Sequence, residues 1–110
     1  MDPVYPDSVT WWHRLPDEGR RAAWERARIP EAHVEDSAGR SRLAPADAGA
    51  GASLVLVPAR HAGLAQWAPG DRFAIGASES DDPPAEALTA TSVERVRMCG
   101  ALHHLEIAGS

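Results

Sequence analysis

Cysteine and large aromatic residues are scarce in this chain of 110 residues, which contains one Cys, one Phe and one Tyr. The single cysteine, Cys99, excludes an intrachain disulfide and is typical of a reducing compartment. Much of the 44% hydrophobic fraction is alanine, so we expect one small core of marginal stability. No stretch approaches the roughly 20 apolar residues of a membrane-spanning helix. Residues 1–6 also lack the charged and apolar regions of a signal peptide.

Lysine is absent. All 11 basic residues are arginine, and 16 acidic residues outnumber them to give a formal net charge of −5. A dedicated nucleic-acid-binding domain is usually basic, so this balance argues against that class of protein. The length accommodates one domain and no more, and we assign residues 1–110 to it.

Short segments rich in β-branched or alternating apolar residues recur along the chain and predict strands. They are residues 8–15, 32–36, 53–57, 72–76, 91–98 and 101–107. The run at 53–57 is continuously apolar, which predicts burial on both faces. The last two segments flank a turn at Cys99 and Gly100 and predict an antiparallel hairpin. Short strands separated by turn signals favour a small barrel or a sandwich.

Residues 20–29 allow two interpretations. Ala, Arg and Glu dominate this segment and favour a helix that Asp17 would cap, giving one short helix near residues 17–29. The alternative is a strand with Trp24 facing inward. Pro30 ends either element or restricts it to a sheet edge.

Segments rich in Gly, Pro and Asp predict loops between the strands. We expect residues 1–7 to be extended or mobile, and residues 37–52 and 77–90 to form mobile loops. The last loop carries an acidic run that we expect to be solvated, namely Glu79, Asp81, Asp82 and Glu86. The run lacks the Gly and the ligand spacing of a calcium-binding EF-hand loop.

The residues that bear reactive groups form no catalytic or metal motif. No CxxC or HExxH spacing occurs, and the adjacent His103 and His104 would point to opposite faces of a strand, with His103 partly buried. Cys99 has no base beside it in the sequence. The segment Gly70–Arg72 predicts a β-turn entering a strand and lacks the pattern of a phosphate loop. The sequence therefore predicts no catalytic residue, no cofactor, no metal and no enzymatic activity.

Trp11 and Trp12 are adjacent in the first predicted strand, so we expect one indole to enter the core and the other to face outward. Tryptophan is enriched in interface hot spots. Trp11, Trp12 and Trp67 are therefore candidate partner-binding residues. The alternative is that each indole packs beneath a loop of its own chain.

Several segments in a fixed order carry a resemblance to a known family. A strand ends in Val57-Pro58, a turn at Gly70-Asp71 opens a hydrophobic strand that ends at Gly76, and the last strand runs from His104 to Gly109. In this order and spacing the chain, roughly from residue 7 to residue 109, resembles the minor capsid or head-closure proteins of long-tailed phages and prophages. Leu105 stands where an aromatic residue is expected in that family.

The resemblance implies a small antiparallel β-barrel of about six strands with long loops and without an active site. It implies a structural virion protein, a head–tail connector of the head-closure, stopper or minor capsid kind. Such a protein binds below the portal and links the DNA-filled head to the tail.

The resemblance also implies partners and a location. The expected partners are a portal or adaptor ring above and a tail terminator below, with self-association into a ring in the virion and a monomer in isolation. DNA is expected only as passing cargo, with the acidic loop at the ring lumen, and the location is the virion or, during assembly, the host cytoplasm. The alternative function is that of a small β-barrel module that binds or regulates another protein in a bacterial cytoplasm.

Overall fold

A computed structural model of the chain describes residues 4–16, 22–35 and 53–110. Within these ranges the strands are β1 (Asp7–Leu15), β2 (Ala23–Glu35), β3 (Ser53–Pro58), β4 (Arg72–Ile75), β5 (Leu88–Met98) and β6 (Ala101–Gly109). A 3-10 helix, Ala59–Leu64, follows β3 directly. None of the helical structure in the described ranges is long and apolar enough to cross a membrane.

The strands close into a barrel in the order β1-β2-β3-β6-β5-β4, and β4 returns to β1. Every neighbouring pair is antiparallel. The predicted mainly β fold and small six-stranded antiparallel barrel are thus confirmed. Inward-facing side chains of so small a barrel fill its interior and form its core.

The helix interpretation of residues 20–29 is wrong for the part that the structure describes, because residues 23–35 form one strand, β2. β2 pairs with β1 along its length, from Val9 opposite Ile29 to Leu15 opposite Ala23. This pairing satisfies the backbone hydrogen bonds and outweighs helix propensity, which is weak for each residue. Trp24 is half-buried and lies outside the core cluster. The proposed cap, Asp17, and residues 20–21 lie outside the described residues.

Pro30 lies within β2 because the strand carries a β-bulge there. The register slips by one residue between the pairs Val9–Ile29 and Asp7–Ala32, so β2 has one residue more than β1. A bulge tolerates proline because the extra residue does not need to donate to the ladder. Ile29 before the bulge and Ala32 after it are both buried, although an unbroken alternation would put them on opposite faces.

Inward-facing residues of all six strands form one core. Its largest side chains, Trp11 and Phe73, are stacked with ring centroids 5.6 Å apart. The other buried members are Val9, Ile29, Ala32, Val55, Val57, Ala90, Leu105 and Ile107.

The burial of β3 differs from the prediction. Ser53, Val55 and Val57 are buried, whereas Leu54 and Leu56 are half-buried. The physical reason is that a barrel strand has one face toward the interior and one toward the outside, so a continuous apolar run does not guarantee two buried faces.

Gly109, at the end of β6, is required by close packing, which gives the first testable prediction. A Cβ atom at this position would lie 2.5 Å from Phe73 Cε1 and 2.8 Å from the carbonyl oxygen of Thr89. The backbone of Thr89 cannot easily move away from this atom, because it forms two hydrogen bonds with the backbone of Ser110. We expect Gly109→Ala to lower the free energy of unfolding by about 1–3 kcal/mol, as overpacking does in other cores.

Urea denaturation followed by tryptophan fluorescence measures this change. The matched control is Gly63→Ala, because a Cβ atom at Gly63 would meet nothing within 4 Å. The control is expected to be as stable as the wild type. Equal midpoints for the two variants would contradict the packing argument.

Candidate functional site

Trp11 and Trp12, predicted as partner-binding residues, are both fully buried. The two indoles lie on opposite faces of β1 as predicted, but the outer one is covered by its own chain, as in the alternative interpretation, and is not exposed. Trp11 enters the core, while Trp12 lies on the other face of β1 beneath residues 76–87, which we call the covering segment. Trp67, the third candidate, is half-buried and packs on Trp11 with ring centroids 4.7 Å apart.

Hydrogen bonds hold the covering segment over Trp12. The Nε1–H of Trp12 donates to the carbonyl of Ser80 at 3.0 Å. The hydroxyl of Thr10 donates to the carbonyl of Gly76 at 2.8 Å and accepts from the backbone N–H of Ser78 at 2.9 Å. The segment has no helix or strand, as predicted for a loop, whereas residues 88–90 of the predicted loop 77–90 belong to β5. The segment is anchored to the outer face of β1.

The acidic residues of the covering segment, Glu79, Asp81, Asp82 and Glu86, are all exposed. Asp81 approaches the guanidinium of Arg26 at 4.0 Å. Such an exposed pair contributes little to stability. The covering segment therefore has one side anchored to β1 and one acidic side in solvent.

Asp71, which follows the turn before β4, is a buried carboxylate with four hydrogen-bond partners. Its Oδ2 accepts from Trp11 Nε1–H at 3.1 Å and from the backbone N–H of Ala68 at 3.1 Å, and it lies 2.8 Å from His13 Nδ1. Its Oδ1 accepts from the backbone N–H of Arg14 at 3.0 Å. This carboxylate fastens β1 to the turn that precedes β4.

The turn itself agrees with the sequence prediction. The backbone N–H of Asp71 donates to the carbonyl of Ala68 at 3.1 Å, and Gly70 has a φ of 95°. A positive φ at the third position of a turn favours glycine, and proline suits the second position, which Pro69 occupies. The predicted β-turn entering a strand is confirmed.

The hydrogen bonds of Asp71 assign the tautomer of His13. Two N–H donors already approach Oδ2, so this oxygen is an acceptor and His13 Nδ1 must carry the proton that joins them. The other ring nitrogen of His13, Nε2, has no hydrogen-bond partner among the described residues. The side chain of His13 is 15% exposed.

His13 lines a pocket of about 370 Å³ at one end of the barrel. Its apolar lining residues are Trp67, Leu102, Leu105 and three alanines. Gln66 and Arg95 supply its other polar groups. Arg95 pairs with Leu105 across β5 and β6, so its side chain belongs to the inner face of the sheet, at the end where that face opens to solvent.

His103 and His104 lie side by side, with their Nδ1 atoms 2.8 Å apart, so the prediction that they point to opposite faces is wrong. The cause is a β-bulge in β6, where Leu102 and His104 pair with consecutive residues of β5 and His103 is extra. His103 is exposed instead of partly buried, and His104 Nε2 contacts the carboxylate of Glu106 at 2.9 Å. In the part of the chain that the structure describes, no three His, Cys, Asp or Glu residues are grouped as metal ligands.

The hairpin of β5 and β6 projects beyond the barrel. β5 pairs with β4 only at Leu88 and Thr89, and β6 pairs with β3 only from His104 onward. We call residues 94–103 the hairpin arm. The edge of β5 that faces away from β6 is its outer edge. Among residues 4–16, 22–35 and 53–110, no strand pairs with this outer edge beyond Ala90.

The end of the hairpin arm is a two-residue turn. Cys99 and Gly100 have φ values of 53° and 81°, and both are exposed. Two positive φ values are typical of the type I′ turn that suits the twist of antiparallel strands. The predicted hairpin and its turn are confirmed, and beside the turn Met98 is 57% exposed.

No protein-family model matches this chain, and no curated protein is significantly similar to it in sequence. The resemblance to phage connector proteins therefore remains a prediction.

Sequence reasoning missed the contact of Asp71 with His13 and the pocket that His13 and Arg95 line. Part of the signal was present, because Trp11 and His13 alternate and so share one face of β1. The contact of that face with Asp71 spans about 60 residues of sequence and depends on the pairing of β1 with β4. No local pattern contains that information.

Proposed function

We propose that this protein is a structural, non-catalytic β-barrel that docks to other proteins, and that it serves as a head–tail connector of a long-tailed phage. In this role it binds a portal-type ring above and a tail terminator below, associates into a ring in the virion, and is a monomer in isolation. It would belong to the head-closure, stopper or minor capsid kind. DNA is only its passing cargo.

The observation that carries the docking role is the hairpin arm. A strand edge without a partner offers N–H and C=O groups to a strand of another protein. A two-stranded ribbon is marginally stable alone, so a neighbour that packs on the arm would stabilise it. Exposed Met98 at its end supplies a flexible apolar contact of the kind used at adaptable interfaces.

The lining of the pocket contains no Ser, Thr or Cys, so within this pocket the Asp71–His13 pair has no nucleophile to activate. The choice of a phage connector over other docking proteins rests on the sequence resemblance at Val57-Pro58, Gly70-Asp71 and the segment from His104 to Gly109.

Met98→Asp tests the docking role, and we expect it to weaken binding to the portal-type ring protein encoded beside this gene by about tenfold or more, because a charge replaces an apolar contact at an interface. Biolayer interferometry with the purified ring measures the affinity. The matched control is Leu64→Asp on the 3-10 helix, a comparably exposed apolar residue outside the arm. The control is expected to bind like the wild type.

If Met98→Asp and Leu64→Asp weakened binding to the ring equally, the hairpin arm would not be part of the interface. A genome without a portal-type gene beside this one, or a ring that the wild-type protein does not bind, would overturn the connector role. If Met98 were then required for binding a cytoplasmic protein, the alternative of a bacterial protein-binding or regulatory module would stand.

A further inference from the structure

We propose that the pocket between the 3-10 helix and the hairpin arm binds a small organic carboxylate that carries an apolar group. Arg95 and Leu102 of the hairpin arm line this pocket with their side chains, whereas docking uses the backbone edge of β5, and the proposal does not depend on the connector role. The argument rests on the charge, the donors and the shape of the pocket lining.

The charge of the lining selects an anion. Arg95 is its one residue of fixed charge, and the lining contains no Asp or Glu. Asp71 stands behind His13, fully buried, with both oxygens occupied by hydrogen bonds, so it does not present a negative group to the pocket. No acidic partner of the Arg95 guanidinium occurs among the described residues.

The donors suit a carboxylate with two oxygens. Asp71 fixes the ring of His13 through Nδ1, which leaves Nε2 as the polar atom available to a ligand. The Arg95 guanidinium supplies charge-assisted donors that can meet both carboxylate oxygens, and the side-chain amide of Gln66 is a further donor in the lining. A phosphate group would leave more of its oxygens without donors, because Arg95 and Gln66 are the donor side chains of the lining.

The walls accommodate an apolar group of limited size. Trp67 is held by its Nε1–H, which donates to the carbonyl of Ala62 at 2.7 Å, and its ring packs on Trp11. One face of the pocket is therefore rigid before any ligand arrives, which reduces the ordering cost of binding. A volume of about 370 Å³ lies near the lower end of ligand pockets in general. Leu102 and the alanines leave room for one ring beside the carboxylate.

Titrations with phenylacetate and its uncharged analogue phenylacetamide test the proposal in the full-length protein. We expect phenylacetate to produce a saturable shift of the Trp67 indole N–H signal in ¹⁵N NMR spectra, and to bind about tenfold more tightly than phenylacetamide, since a hydrogen bond to a charged group discriminates by about that factor. Equal affinities for the two probes, or no saturable shift, would overturn the proposal.

Two variants and one control variant locate the site. Arg95→Gln, on an exposed side chain, is expected to weaken phenylacetate binding about tenfold. Arg28→Gln, an equal loss of charge on an exposed residue of β2, is expected to leave it unchanged. Ala65→Leu should fill the pocket and abolish the binding of both probes. If Arg28→Gln weakened binding as much as Arg95→Gln, the attraction would be nonspecific and the pocket assignment would be wrong.

The carboxylate can come from a free metabolite or from the end of a polypeptide. The peptide acetyl-Gly-Gly-Phe, with a free C-terminus, distinguishes these sources from phenylacetate. Tighter binding of the peptide would assign the site to a chain terminus, and tighter binding of phenylacetate to a free small molecule. Either result supports carboxylate recognition, and binding of neither probe would refute it.

Discussion

Asp71→Ala will lower the free energy of unfolding by about 3–5 kcal/mol, the cost expected when one partner of a buried charged network is removed. The N–H groups of Trp11, Arg14 and Ala68 would lose their acceptor. Because each lies at the junction of β1 with the turn before β4, the loss would also weaken the closure of the barrel. A domain of this size has a total stability of about 5–15 kcal/mol, so the variant would be close to unfolding.

Urea denaturation with both fluorescence and far-ultraviolet circular dichroism is the appropriate measurement. Asp82→Ala is the matched control, since Asp82 is exposed and its side chain has no partner among the described residues, and we expect it to unfold like the wild type. Asp71→Asn should recover only part of the loss, because an amide has one oxygen where the network requires two acceptors. Wild-type stability in Asp71→Ala would mean that the four contacts are not energetically coupled to folding.

Trp12→Ala will also lower the free energy of unfolding by about 3–5 kcal/mol, as for other buried large-to-alanine substitutions. Trp12 is fully buried, and its indole supports the covering segment from below. The substitution should therefore also release that segment. Amide hydrogen exchange at Ser78, whose N–H is bound to Thr10, should accelerate in the variant.

Trp12→Phe separates packing from hydrogen bonding. Phenylalanine retains most of the buried apolar area but cannot donate to the carbonyl of Ser80, so we expect a smaller loss of about 1–2 kcal/mol. If both variants were as stable as the wild type, Trp12 would not support the folded monomer. That result would favour the interpretation of Trp12 as a partner-binding residue.

Strand locations were largely accessible from the sequence because each depends on local alternation and on turn residues. The hairpin at Cys99 and Gly100 illustrates this, since two strands joined by two residues leave little choice of pairing. β2 illustrates the opposite case. Its helix-favouring composition was overridden by pairing with β1, a contact between segments that no local propensity describes.

The β-bulges mark a second limit of sequence reasoning. One extra residue in β2 at Pro30 and one in β6 at His103 reverse the alternation of inward and outward positions. The relative placement of His103 and His104 was mispredicted for this reason alone. The position of a bulge depends on the strand curvature that is needed to close the barrel. Closure involves all six strands, so a short stretch of sequence does not predict the bulge.

By itself, the sequence determined a mainly β fold of short strands, an acidic surface segment and a hairpin that turns at Cys99 and Gly100. These features follow from composition and from patterns a few residues long. Only the tertiary structure decided that both Trp11 and Trp12 are buried and that Asp71 holds His13 at a pocket. It also decided that the outer edge of β5 in the hairpin arm has no neighbouring strand within the described part of the chain. The physical reason is that each of these features is a contact between strands distant in sequence, and barrel closure selects which of them meet.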